Sequence, residues 1–133
     1  MKKTLLIVAV MAVLFSAGSA WANTDWHGRF FNDFYGEWKG TLIDKQAPIM
    51  FKGSWQGVDF NIEGTMVATL EYAGNGIYKI VEGILYDRDG EKIGKWNGYF
   101  DLYCKPGDAQ GAWVFDFAHS IGFWEGRRVP YCN

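Results

Sequence analysis

Little in this chain points to enzyme or metal chemistry. Its 133 residues hold two histidines, His27 and His119, and two cysteines, Cys104 and Cys132. A structural metal site needs more ligands of this kind at suitable spacing, so none is expected. Beyond residue 22 there are two serines, Ser54 and Ser120. Adjacent side chains on a strand point to opposite faces, so the neighbours His119 and Ser120 do not suggest a nucleophile and its base. No phosphate loop or dinucleotide fingerprint occurs, and no cofactor is implied. After Tyr35 no segment sustains a helical period. No apolar run reaches the roughly 20 residues that a comfortable membrane span needs.

The longest apolar run lies at the start. Lys2 and Lys3 precede Leu5 to Phe15, small residues follow, and Ala20-Trp21-Ala22 closes the segment. A charged start, an apolar middle and a small-x-small triplet are the order of a signal peptide. The expectation is removal of residues 1–22, a single domain over 23–133, and an exported protein, periplasmic or extracellular, with no integral membrane insertion after processing. Lys2 and Lys3 would leave with the signal, so eleven basic side chains would face fifteen acids. That balance argues against nucleic acid and disfavours anionic ligands. In an oxidising compartment Cys104 and Cys132 have one possible pairing, a disulfide whose loop closure would contribute roughly 3 kcal/mol.

Of seven tryptophans, seven tyrosines and ten phenylalanines, only Trp21 and Phe15 lie in the signal-like segment, so the remaining chain is dense in rings. Residues 23–34 read as a lead-in with a helical turn or two. From Tyr35 onward β-branched and aromatic residues alternate with polar ones between Gly, Asn and Asp. Strands are expected over 35–44, 47–53, 54–63, 65–73, 77–87, 91–103, 111–118 and 121–129. Ala73-Gly74-Asn75-Gly76 and Asp87-Arg88-Asp89-Gly90 supply the left-handed positions that tight hairpins need. The second is a turn rather than a calcium loop, because it lacks the length and ligand spacing of one. The fold class is all-β: a small antiparallel up-and-down barrel of about eight strands, with a β-sandwich as the alternative.

One pattern recurs four times: Gly36-Glu37-Trp38-Lys39-Gly40, Gly53-Ser54-Trp55-Gln56-Gly57, Gly94-Lys95-Trp96-Asn97-Gly98 and Gly122-Phe123-Trp124-Glu125-Gly126. On a strand the two glycines and the tryptophan share one face, and the intervening residues face the other way. Seven of those eight intervening positions are polar, so each motif has an indole face and a water face. Glycine inside a strand marks a close approach, and the group expected to approach here is another ring. Trp38, Trp55, Trp96 and Trp124 are therefore core residues on one reading and the wall of a ligand site on the other.

Tyr35-Gly36-Glu37-Trp38-Lys39-Gly40-Thr41-Leu42, following a short lead-in, resembles the Gly-x-Trp strand start of the calycin barrels, the lipocalin and avidin-like group. The resemblance implies an eight-stranded up-and-down barrel with a small molecule at its open end. Gly36 and Trp38 would then be structural. The chain departs from that group in being shorter than typical lipocalins and in repeating the motif.

The leading functional expectation is an exported, non-enzymatic binding protein with a Trp/Tyr-lined pocket or face for a small apolar or sugar-like ligand. Its candidate contacts are Trp38, Trp55, Trp96, Trp124 and Glu82. Glu82 enters because its surroundings in Tyr78–Leu85 look apolar on both faces; an inward acid would need a partner, and the alternative is an outward, solvated side chain. A second reading is a periplasmic interaction or inhibitor protein, or an envelope accessory protein, acting on a protein partner through its surface. A third is a small hydrolase using a carboxylate pair drawn from Asp44, Glu63, Glu71, Glu82, Asp101 and Asp116. Arg127-Arg128 reads as a solvated strand end or a small anion contact. The processing expectation is checked by intact mass: exported protein should begin at Asn23, and a retained Met1 in that fraction would contradict it.

Overall fold

The computed structural model describes residues 23–58, 62–103, 108–116 and 119–129. The signal-like segment, and Cys104 and Cys132 with the disulfide expected between them, lie outside the described residues. Eight strands follow one another: β1 (Thr24–Asn32), β2 (Gly36–Ile43), β3 (Ile49–Gly57), β4 (Glu63–Gly74), β5 (Ile77–Asp87), β6 (Lys92–Asp101), β7 (Asp108–Phe115) and β8 (Ser120–Val129). Each pairs antiparallel with the next, and β8 pairs with β1, so the sheet closes into an up-and-down barrel. Closure leaves no edge strand and decides the choice between barrel and sandwich. Among the described residues there is no helix.

The stretch 23–34, expected as a lead-in with a helical turn, is instead largely strand β1. The reason lies in its alternation: Trp26 and Phe30 are buried while Asp25, His27 and Arg29 are exposed. That two-residue period was present in the sequence, and pairing with β2 on one side and β8 on the other fixes it. The strands expected over 47–53 and 54–63 are one strand, β3, which runs through Gly53 without a turn. The hairpin signals sit where turns form. Gly74, Asn75 and Gly76 all have positive φ between β4 and β5, and Gly90 does between β5 and β6. In that second turn Asp87 Oδ1 accepts the amides of Asp89 and Glu91, each at 2.9 Å.

Register shows why the motif repeats. Gly36, Trp38 and Gly40 of β2 stand directly opposite Gly57, Trp55 and Gly53 of β3. Trp96 and Gly98 of β6 face Trp113 and Gly111 of β7 in the same way. Glycine beside each indole lets the two backbones approach while the rings spread over neighbouring strands.

A bulge in β5 resolves the ambiguity around Glu82. Thr69 of β4 pairs with Glu82, and the next residue, Leu70, pairs with Ile80, so Val81 is extra. A β-bulge adds one residue to one strand and restores the face alternation beyond it. Ile80 and Gly83 point inward, and both Val81 and Glu82 are exposed.

Gly98 combines two constraints. Its φ of +135° lies where side chains are strained, and a Cβ there would run into the Gln110 carbonyl and the Trp124 ring. Its neighbour Asn97 points outward and accepts the Ala112 amide at 3.2 Å. Gly98→Val should therefore cost about 3 kcal/mol or more, and Asn97→Val less than about 1 kcal/mol. Urea unfolding of the two variants compares them; equal midpoints would contradict the face assignment.

Candidate functional site

The barrel has two faces to consider, and the inner one is taken up by rings. Trp38, Trp55, Trp96 and Trp124 are 3, 5, 3 and 3% exposed. They pack edge-on: Trp124 lies 5.4 Å from both Trp38 and Trp96, at 88° and 75°. Phe51 and Phe100 stack at 4.9 Å below them, and Phe30 meets Trp55 and Trp113 edge-on above. Such offset and edge-on contacts are the favourable ones for aromatic pairs.

A buried indole N–H needs an acceptor, and each motif tryptophan finds one two strands away. Trp38 on β2 donates to the Glu125 carbonyl on β8 at 3.1 Å, crossing Gly28 of β1. Trp55 on β3 reaches Tyr86 O on β5 at 3.2 Å, over Gly64 of β4, and shares its proton with Thr65 O at 3.2 Å. Trp96 on β6 reaches Val67 O on β4 at 3.2 Å, over Gly83 of β5. Trp124 on β8 reaches Asn97 O on β6 at 2.7 Å, over Gly111 of β7. A Cβ on any of these four glycines would collide with an indole or with a neighbouring backbone carbonyl.

What remains free among these rings is about 30 Å³, bounded by Phe30, Trp38, Trp55, Trp96 and Trp124 among others. A single water occupies about that volume, whereas small-molecule sites run from roughly 300 to 1,000 Å³. Eight strands enclose an interior that side chains alone can fill, and here they do.

The outer face is different. A concavity of about 700 Å³ extends across β7, β8, β1, β2 and β3. Its lining is polar and falls into two rows set by strand register. One row reads Gln56, Glu37, Arg29, Glu125 and Gln110 across β3, β2, β1, β8 and β7. The other, two residues along each strand, reads Ser54, Lys39, His27, Arg127 and Asp108. Arg29 pairs with Glu125 at 3.0 Å, and Arg127 sits 4.0 Å from Asp108. Exposed pairs of this kind contribute little to stability, at most about 1 kcal/mol. Beyond the first row Phe31 and Phe123 lie side by side on the outside, 6.2 Å apart. Phe123 is 55% exposed and Ile121 58%. Phe123 is the one apolar residue among the eight intervening positions of the motif.

The remaining candidates are dispersed. Glu82 is exposed on β5, and Glu63 on β4 pairs with Arg88 at 2.9 Å. Asp101 Oδ1 accepts the Tyr103 amide. His119 is exposed in a turn while Ser120 is buried. Asp44 accepts from the Tyr78 hydroxyl at 3.3 Å, and its Oδ1 has no partner among the described residues. Burial, and then the Asp44 carboxylate, raise the Tyr78 phenol above its ordinary value. Burial likewise lowers Lys52 on β3. Among the described residues no three His, Cys, Asp or Glu side chains gather in one place. The outer groove was missed in the sequence because its rows come from five strands. Only the alternation of polar residues around each tryptophan signalled it.

Trp38→Phe should cost about 2–4 kcal/mol, since it shrinks a core ring and strands the Glu125 carbonyl. Glu82→Ala should stay within about 0.5 kcal/mol. Denaturant titration of both variants checks the contrast, and a neutral Trp38 variant would contradict the assignment of that indole to the core.

Comparison with protein-family models, with curated proteins and with solved structures gives no match to this chain.

Proposed function

We propose that this protein is an exported, non-enzymatic binding module, a calycin-like barrel that meets its ligand on the outside of the sheet. The observation that carries the reading is the contrast in space: about 30 Å³ among the inner rings against about 700 Å³ on the outer face. Of the two ligand classes the sequence suggests, the sugar-like one suits this surface. Glutamine, glutamate and arginine side chains are planar and offer paired donors or acceptors to hydroxyl groups. The adjacent Phe31 and Phe123 rings offer a flat apolar surface to the C–H face of a sugar. The Gly36-x-Trp38 strand start and the closed antiparallel barrel support the calycin-like grouping. In this reading the motif tryptophans build the wall whose outer side does the binding.

A protein partner is the second reading, favoured by the exposure of Phe123 and Ile121 on neighbouring outward positions of β8. Amide and indole chemical-shift mapping with a panel of neutral and acidic oligosaccharides separates the two. The expected outcome is movement of outward β8, β1 and β2 amides with the buried indole signals unmoved. Movement of the Trp38, Trp55, Trp96 and Trp124 indole signals alone would return the ligand to the interior. No movement anywhere would favour the protein-partner reading.

A further inference from the structure

Of the eight large apolar residues that stand exposed among the described residues, four gather in one band of the outer face. Phe123 on β8 lies directly between Phe31 on β1 and Ala112 on β7, and Ile121 lies directly beside Val114. Tyr35 follows Phe31 around the barrel, each one residue past the paired Phe30 and Gly36. Val58 continues the band, its amide donating to the Tyr35 carbonyl at 2.9 Å. Tyr35 is 55% exposed and Val58 70%. The band thus crosses five strands, from β3 to β7, and at a strand spacing of about 4.8 Å it runs for about 19 Å. Exposed apolar surface that is contiguous rather than scattered marks an interaction site.

Charge is unequal along the barrel, and the band lies at its acidic end. Glu37 and the Arg29–Glu125 pair border it on one side. Asp33 and Asp116 border it on the other, Asp33 Oδ2 accepting the Ile121 amide at 3.0 Å. Glu63, paired with Arg88, and Lys95, opposite Val114, stand at its two ends. The β5–β6 turn beyond adds Asp87, Asp89 and Glu91, followed by Lys92. Together these are eight carboxylates against four permanent cations, whereas the rest of the described residues carry six of each. Both members of every ion pair are in those totals, so the excess does not depend on any side chain being unpaired.

A closed barrel has no free strand edge, so a partner cannot add a strand and must meet the band through side chains. A second copy of the chain would bring the same acidic excess to the contact, and like charges oppose it. Segments that lie on bilayers carry lysine and arginine on their polar face, the opposite of this border. We infer that the band seats a basic amphipathic helix of a protein partner, its apolar side chains on Phe123, Phe31, Tyr35 and Ile121 and its lysines or arginines over the flanking carboxylates. This rests on the protein-partner reading of the outer face and names the chemistry of that partner. A helix rises about 1.5 Å per residue, so about 13 residues span the band. The apolar stripe of such a helix has charged residues along both sides, as the band does with the sign reversed.

The test is calorimetric titration of the full exported protein with three synthetic peptides of equal length. One is a lysine–leucine amphipathic helix, one the same helix with glutamate for lysine, and one a lysine peptide with glutamine for leucine. The variants are Phe123→Ser with Ile121→Ser, and, as control, Val81→Ser, which removes an equally exposed apolar residue of β5 outside the band. The lysine–leucine helix should bind and the other two should bind at least tenfold more weakly. Its affinity should fall on the order of tenfold in the double variant, stay unchanged in the control, and fall with added salt. Equal binding of the glutamate helix would overturn the charge argument and leave the protein-partner reading standing. Equal affinity in the double variant would put the peptide elsewhere on the barrel and overturn the inference. Sedimentation showing a dimer that Phe123→Ser dissociates would assign the band to a second copy and overturn it too. If no peptide binds, the inference fails, and the protein-partner reading falls with it if an oligosaccharide moves the Phe31 and Phe123 signals.

Discussion

Four indole hydrogen bonds, each passing over a glycine to a carbonyl two strands away, are the constraint on which this barrel depends. Ordinary ladder bonds join neighbours. These join β2 to β8, β3 to β5, β6 to β4 and β8 to β6 through the interior. Each needs a large ring on one strand, no side chain on the next, and a carbonyl available on the third. The Gly-x-Trp-x-Gly motif supplies the ring on its own strand and bare backbone beside it. Gly28, Gly64, Gly83 and Gly111 supply the crossings. The arrangement gives the polar end of every motif tryptophan a backbone carbonyl, and a buried N–H left unpaired would cost about 1–3 kcal/mol.

Filling the interior this way leaves about 30 Å³ among the rings and turns the polar side chains out. The same strands that turn indoles inward turn Glu37, Lys39, Ser54, Gln56 and Glu125 outward, because side chains alternate. The packed core and the polar outer surface are thus two sides of one sequence pattern. The close packing of the ring-filled core fixes the spacing of the outer rows.

Much of this was legible in residues 35–129 and less of it elsewhere. The all-β class, the hairpins at Gly74-Asn75-Gly76 and Asp87–Gly90, and the two faces of the motif follow from local alternation and turn chemistry. Strand β1 was obscured because Asp25, His27 and Arg29 dilute its hydrophobic signal, and only burial of Trp26 and Phe30 against β2 and β8 reveals it. Glu82 stayed open between an inward and an outward reading because a bulge is a property of two strands together, and Val81 carries no mark of it. The outer rows were invisible for the same reason. Lys39, His27 and Arg127 are far apart in sequence, and only register makes them neighbours.

The pairing of β1 with β8 also orders events in time. Trp38 and its acceptor Glu125 are 87 positions apart, whereas Trp124 and Asn97 are 27 apart. Contacts of large sequence separation carry the greatest loop-closure cost and slow folding. Hairpins β2–β3 and β6–β7 can zip locally, but the indole of Trp38 has no acceptor until the last strand is present. Ser120–Val129 is also the strand that joins β7 to β1, so both of those strands owe their second partner to it. Closure of the ring by β8 therefore carries the largest loop-closure cost among these indole contacts.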